Sequence, residues 1–307
     1  HHRNILKGFY SVFKSADANL QFVLLTGVTK FSQVSVFSGF NQPKDISMDP
    51  RYEALCGITE EELYQYFPVP IERLAVQYKC SVSQMKERLK KEYDGYHFSD
   101  VLTDIYNPFS ILNVFDSNRI NDYWFKTGTP TYLIRLLNHT QENLNELTGK
   151  YYDPSEFIDY KADVEMPLPM IYQSGYLTIK DYNMDMNTYL LDFPNNEVKK
   201  GFVTMVANDY LKSKNLAGGW ARDLVDALKS ADLERFRKLL TSFLADIPYT
   251  MRRKETERER ERYFHYTFYL LMRMVSCYTV YTEKQQSEGR VDCIVETPNY
   301  IYIFEFK

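Results

Sequence analysis

Apolar positions recur at helical spacing near the start of the chain. In NILKGFYSVFK, residues 4–14, Ile5, Phe9, Val12 and Phe13 fall on one face and predict an amphipathic helix. The next apolar run, QFVLLTG, reads as a short buried strand that breaks at Gly27. Two helix starts are then spelled out by capping boxes, Thr59 with Glu62 and Ser81 with Gln84. From Asn107-Pro108 the helical pattern resumes in FSILNVF and PTYLIRLL. Two strand-like runs follow, GYLTIKDY and TYLLDF, joined by the polar turn Asn183–Asn187. Helices followed by a hairpin suit a winged-helix-like module. Pro194 is placed to open a helix over NNEVKKGFVTMVANDYL, and ARDLVDALKS and DLERFRKLLTSFLADI predict two more.

The last stretch changes character twice. RRKETERERERYFHYTFYLLMRMVSCY reads as a long helix, charged in its first half and nearly all apolar beyond Tyr263. Three strand candidates follow it: TVYTEK, RVDCIVE and YIYIFEFK. The pattern as a whole predicts an α+β chain that is mostly helical.

Composition narrows the class without naming a function. The 307 residues are 44% hydrophobic and 25% charged, as in a soluble globular protein. A formal net charge of −4 excludes a generally basic chain, so any nucleic-acid contact must come from local patches. Cys56, Cys80, Cys277 and Cys293 are scattered, with no paired spacing, which points to a reducing, cytoplasmic setting. No apolar run is long enough to span a membrane, so no membrane partner is expected.

The chemistry concentrates in the last hairpin, EGRVDCIVETPNYIYIFEFK. Pro298 suits a tight turn, and with Thr297 facing Tyr300, Asp292 falls opposite Glu305. Side chains two apart share a face, so Lys307 projects beside Glu305, while Tyr300, Tyr302, Phe304 and Phe306 form a bulky, core-like opposite face. Paired carboxylates suit Mg²⁺ or Mn²⁺. A neighbouring ammonium can orient or deprotonate an attacking water, and together these groups suit phosphodiester hydrolysis. Taken alone, the same three charges fit a surface salt bridge as well. Glu261, in ERYFH on the preceding helix, could add a third acid or belong to a solvated face of mixed charges.

The string Asp292…Glu305-Phe306-Lys307 resembles the D…E-x-K signature of the PD-(D/E)XK nuclease superfamily. LLTGVTKFSQVSVFSGFN, YDGYHF followed by VLTDIYNPFSIL, YWFKTGTPTYL, YQSGYLTIK and LLDFPNNEV extend the likeness along nearly the whole chain. Together they resemble bacterial AAA-ATPase-like proteins that carry a C-terminal PD-(D/E)XK nuclease domain. The resemblance implies an ATPase-like part with a helical lid over residues 1–105 and a helical, winged-helix-like part over 106–214. It implies a restriction-endonuclease-like α/β core over 215–307. It also implies metal ligation by Asp292, Glu305 and Glu261, with Lys307 completing the catalytic set. Thr26, at the end of QFVLLTG, would approach a nucleotide γ-phosphate.

Two departures qualify that picture. No G-x-x-x-x-G-K-[ST] loop or acidic Walker B strand occurs, so ATP is expected only in a longer form of the protein. Nuclease cores also continue past the lysine, so the chain is expected to be a fragment or part of something longer. The leading expectation is a Mg²⁺- or Mn²⁺-dependent nuclease coupled to an ATPase-like module, with DNA ahead of RNA as partner and oligomerisation open. The alternatives are a nucleotide-switched scaffold, whose nuclease fold only binds nucleic acid or a partner, and a plain ATPase.

Overall fold

A computed structural model describes residues 2–27, 44–124, 147–158, 166–211, 219–246, 266–272, 279–286, 289–297 and 299–305. The chain divides into two units, His1–Lys199 and Lys200–Lys307.

The first unit opens with helix α1 (His2–Ser15), as its apolar spacing predicts. The stripe is displayed, not buried: Ile5 and Val12 are each 58% exposed and Phe9 60%. The strand expected at QFVLLTG is not formed. Residues 22–27 are irregular, and Phe22 stands 80% exposed. A strand is stabilised by cross-strand partners, and among the described residues none pairs with this segment.

A helical core follows. Strand β1 (Ile58–Thr59) leads into α2 (Glu60–Tyr66), then α3 (Pro68–Gln77) and α4 (Val82–Tyr93). Both capping boxes form. The Thr59 N–H donates to Glu62 at 2.9 Å and the Glu62 N–H to Thr59 Oγ1 at 3.2 Å. The Ser81 N–H donates to Gln84 at 2.9 Å, with the reciprocal bond at 3.1 Å. Strand β2 (Ile105–Tyr106) pairs antiparallel with β1, and Asn107 then caps α5 (Pro108–Ser117) through the Phe109 and Ser110 N–H groups. Leu63, Leu74, Met85, Leu89 and Ile111 are fully buried where these helices meet.

A small sheet completes the unit. Strand β3 (Lys150–Tyr152) is followed by the short helices α6 (Pro154–Phe157) and α7 (Pro167–Gln173), then by the hairpin of β4 (Thr178–Asn183) and β5 (Thr188–Asp192). The strand order is β3-β5-β4, all antiparallel. The α7 helix turns Pro167, Leu168, Pro169 and Ile171 inward.

Helix α8 (Asn196–Leu211) is capped by Asn195, whose side chain accepts the Val198 N–H at 3.1 Å. The expected start at Pro194 therefore lies two residues early. The second unit continues with α9 (Gly219–Lys229) and α10 (Leu233–Asp246). Residues 266–272 are helical and buried, as the apolar half of the predicted long helix requires; its charged half lies outside the described residues. Strands β6 (Thr279–Gln286), β7 (Gly289–Glu296) and β8 (Ile301–Phe304) form an antiparallel sheet in that order.

Candidate functional site

The turn between β7 and β8 fixes what stands across from what. The Thr297 N–H donates to the Tyr300 carbonyl at 2.8 Å, and Thr297 Oγ1 accepts the Tyr300 N–H at 3.0 Å. The ladder then runs Glu296↔Ile301, Val295↔Tyr302, Ile294↔Ile303 and Cys293↔Phe304. The ladder ends there; Asp292 precedes Cys293 and Glu305 follows Phe304, so one further step of the same register would bring positions 292 and 305 opposite each other. Directly opposed residues of an antiparallel pair have Cα atoms about 4.5–5.5 Å apart. Carboxylates at two such positions can share one small hard cation.

The two faces of this hairpin differ in how they are held. Cys293 and Val295 are fully buried, and opposite them Phe304 packs against Phe268 at 4.7 Å and Phe236 at 5.7 Å between ring centroids. The Tyr302 hydroxyl donates to the Leu228 carbonyl at 2.6 Å, tying β8 to the last turn of α9. Tyr300, expected in the core with them, is instead 43% exposed, because it sits at the turn before the strand begins. On the other face Ile301 and Ile303 are 67% and 62% exposed, followed two residues on by exposed Glu305. The apolar pinning and the open acidic end thus belong to opposite faces of one strand, which resolves why charge occurs in so apolar a hairpin.

Of the other predicted residues, Glu261 and Lys307 lie outside the described residues, as does the side chain of Asp292. Thr26 stands exposed in the irregular segment after α1. Among the described residues no three or more His, Cys, Asp or Glu side chains gather as a metal cluster. The fit of a cation therefore rests on the register and on the hard-oxygen chemistry of the two acids.

A second polar constellation surrounds Asp94-Gly95-Tyr96, which with Asn107-Pro108 the sequence predicts to take turn and cap roles, and extends to His97. Gly95 has φ +85°, and a Cβ there would lie 2.5 Å from the Pro194 carbonyl oxygen and 2.9 Å from Lys180 Nζ. Lys180, on β4, donates to the Gly95 carbonyl at 2.7 Å and the Pro194 carbonyl at 2.9 Å. His97 lies between the Ile179 carbonyl at Nδ1 and Asp104 at Nε2, both at 2.7 Å, and its backbone N–H donates to Thr178 Oγ1 at 2.8 Å. Burial opposes the charge on Asp104, but bonds from His97 and Lys90 outweigh it and hold the carboxyl below its ordinary range. Burial lowers Lys180 from the ordinary lysine value, since desolvation disfavours the ammonium. The turn role holds, and the same residues also clamp the turn onto β4. Sequence spacing carried no sign of that clamp, since Lys180 and His97 are far apart in the chain.

Comparison with known proteins agrees with the two ends of the chain. Residues 259–307 match the PD-(D/E)XK nuclease superfamily, and residues 1–37 match a family described as "Predicted AAA-ATPase". The chain thus joins an AAA-ATPase-like segment to a C-terminal PD-(D/E)XK nuclease domain. One curated relative is an "Uncharacterized protein in vnfD 5'region" of Azotobacter chroococcum mcd 1. It is 32% identical over 307 residues, spanning 99% of this chain but 57% of the relative's length. No solved structure matches the chain. Among the described residues no helix is long and apolar enough to cross a membrane.

Proposed function

We propose that the chain carries the nuclease module of an ATPase-coupled, Mg²⁺- or Mn²⁺-dependent enzyme that hydrolyses phosphodiester bonds in nucleic acid, with DNA as the first substrate to test. One observation carries the reading. The β7–β8 ladder runs to Cys293↔Phe304, one step short of Asp292 and Glu305, within the segment that matches the nuclease superfamily.

In this reading Asp292 and Glu305 offer carboxylate oxygens to the cation, and Glu261 is the third acid. The ion, when bound, favours hydroxide at neutral pH and offsets negative charge growing on the phosphoryl group. Lys307, two residues beyond Glu305 in the sequence, orients the attacking water or takes its proton. Water oxygen bonds to phosphorus, the bond to the leaving sugar oxygen breaks, and that oxygen collects a proton. Phe304 and Tyr302 hold β8 in register, so that Glu305 is presented from an anchored strand. Nucleotide binding, with Thr26 near a γ-phosphate, would fall to the AAA-ATPase-like part.

The test is Mn²⁺- and Mg²⁺-dependent cleavage of plasmid and single-stranded DNA by the chain and by its Asp292→Ala and Lys307→Ala variants. Metal-dependent cutting that falls at least about 100-fold in both is expected, the size of effect seen when a group acting on the reacting atoms is removed. Cutting that survives both substitutions, or none by the unaltered chain, would overturn the catalytic reading and leave a binding module.

A further inference from the structure

Asp94 follows α4 and begins the glycine turn, and it is 1% exposed. Neither of its carboxyl oxygens has a hydrogen-bond partner of ordinary geometry, and neither does the buried hydroxyl of Tyr106 on β2. The protein treats another buried acid quite differently. Glu197, also 1% exposed, accepts Ser110 Oγ at 2.6 Å, the Tyr123 N–H at 2.5 Å and the Trp124 N–H at 2.8 Å.

The charged groups around Asp94 do not make up the deficit. Lys90, one turn earlier on α4, is 3.9 Å from Asp94 but 2.9 Å from Asp104 and 3.3 Å from Glu60 on α2. Its single charge is therefore divided among three carboxyl groups. Lys180 on β4 gives its bonds to the Gly95 and Pro194 carbonyls. Asn195 donates to the Asp94 backbone carbonyl at 3.0 Å and leaves the side chain alone. Tyr64, from α2, donates to Glu60 at 2.9 Å. Burying an ionised carboxylate in such surroundings costs far more than burying a protonated, neutral carboxyl.

We propose that Asp94 is a buried proton-binding site that holds the joint between the α2–α5 helices and β4 closed when protonated and loosens it when ionised. The joint is the same turn that Lys180 and His97 clamp, so strain at Asp94 falls on the Gly95, Tyr96 and His97 backbone.

Burial is the main influence on the Asp94 carboxyl and pushes it up to about 7 from 3.8. The Gly95 N–H and Lys90 oppose that push, while Asp104 and Glu60 add to it. The folded protein therefore binds this proton more tightly than the unfolded chain does. The stability it contributes is complete below pH 3.8 and is lost as pH rises through about 7. Asp104, held low, works in the opposite sense: its stability is present above the unfolded carboxylate value and is lost on acidification. Only a difference between variants isolates Asp94.

The experiment is thermal melting of the full chain and its Asp94→Asn variant from pH 6 to pH 8. Hydrogen exchange is followed in residues 93–107 and 176–183, corrected for the intrinsic pH dependence of exchange. Asn reproduces the shape of a neutral carboxyl without titrating. Wild type is expected to lose about 2–3 °C more than the variant over this range, and its exchange in both segments to rise more. Parallel melting curves, or a variant weaker by the same amount at every pH, would overturn the proposal. Should the variant fail to fold, ¹³C-labelled aspartate in the wild type decides it. An Asp94 carboxyl midpoint near 7 supports the site, and one near the ordinary aspartate value overturns it.

Discussion

The Asp94–His97 turn and the β7–β8 hairpin both set charged residues among apolar neighbours, yet they are secured in opposite ways. Around the turn, Lys180 holds two carbonyls and His97 lies between a carbonyl and a carboxylate, while the Asp94 carboxyl is sealed off by burial. Along the hairpin, rings and a single tyrosine bond pin one face, while on the other face of β8 Ile301 and Ile303, leading to Glu305, stand exposed. A constellation whose polar atoms are spent on its own backbone has little left for a ligand. A carboxylate presented on an exposed position, as Glu305 is, from a strand fixed on its other side, remains available. By that criterion the short string at the end of the chain is the better place to look for chemistry than the more conspicuous YDGYHF.

The sharpest way to break this contrast is at the hairpin. Glu305→Ala is expected to remove metal-dependent cutting, by at least about 100-fold, while thermal melting stays within about 0.5 kcal/mol of wild type. A variant that melts early and cuts normally would reverse the assignment. At the turn, Gly95→Ala is expected to do the converse. A methyl group meeting the Pro194 carbonyl at 2.5 Å on a backbone with φ +85° should cost upward of about 2 kcal/mol in denaturant unfolding. A smaller loss follows from Phe304→Ala, about 1–3 kcal/mol for a half-buried ring. Cutting should fall with it, since the strand end carrying Glu305 loses its pin. The least effect is expected from Thr59→Ala, about 1 kcal/mol from a lost helix cap with cutting untouched, read from the same unfolding curves.

What the sequence disclosed was mostly local. The capping boxes at Thr59 and Ser81 involve residues three apart, and the hairpin register follows from a turn of four residues, so short-range chemistry determines both. QFVLLTG failed as a strand because its apolar run says nothing about whether partners stand beside it. Asp94 was read as a turn residue, which it is, but its burial comes from α2, β2 and β4 converging on it. That convergence is tertiary and leaves no mark in the spacing. Glu305 was legible because an acid in an otherwise apolar strand is costly unless it faces outward, and outward is where it stands.

The open face of β8 also bears on how the protein behaves in a tube. Among the described residues β8 is the outer strand of its sheet, and Ile301 and Ile303 project from it with little cover. Bare β-branched side chains on an outer strand invite a second molecule to add its own strand there, and a charge at the strand end is a common deterrent. Glu305 then serves as a colloidal gatekeeper whether or not it ever meets a metal. Replacing it with alanine would make the protein stickier as well as less active, whereas lysine would keep a charge there and still deny the cation a ligand.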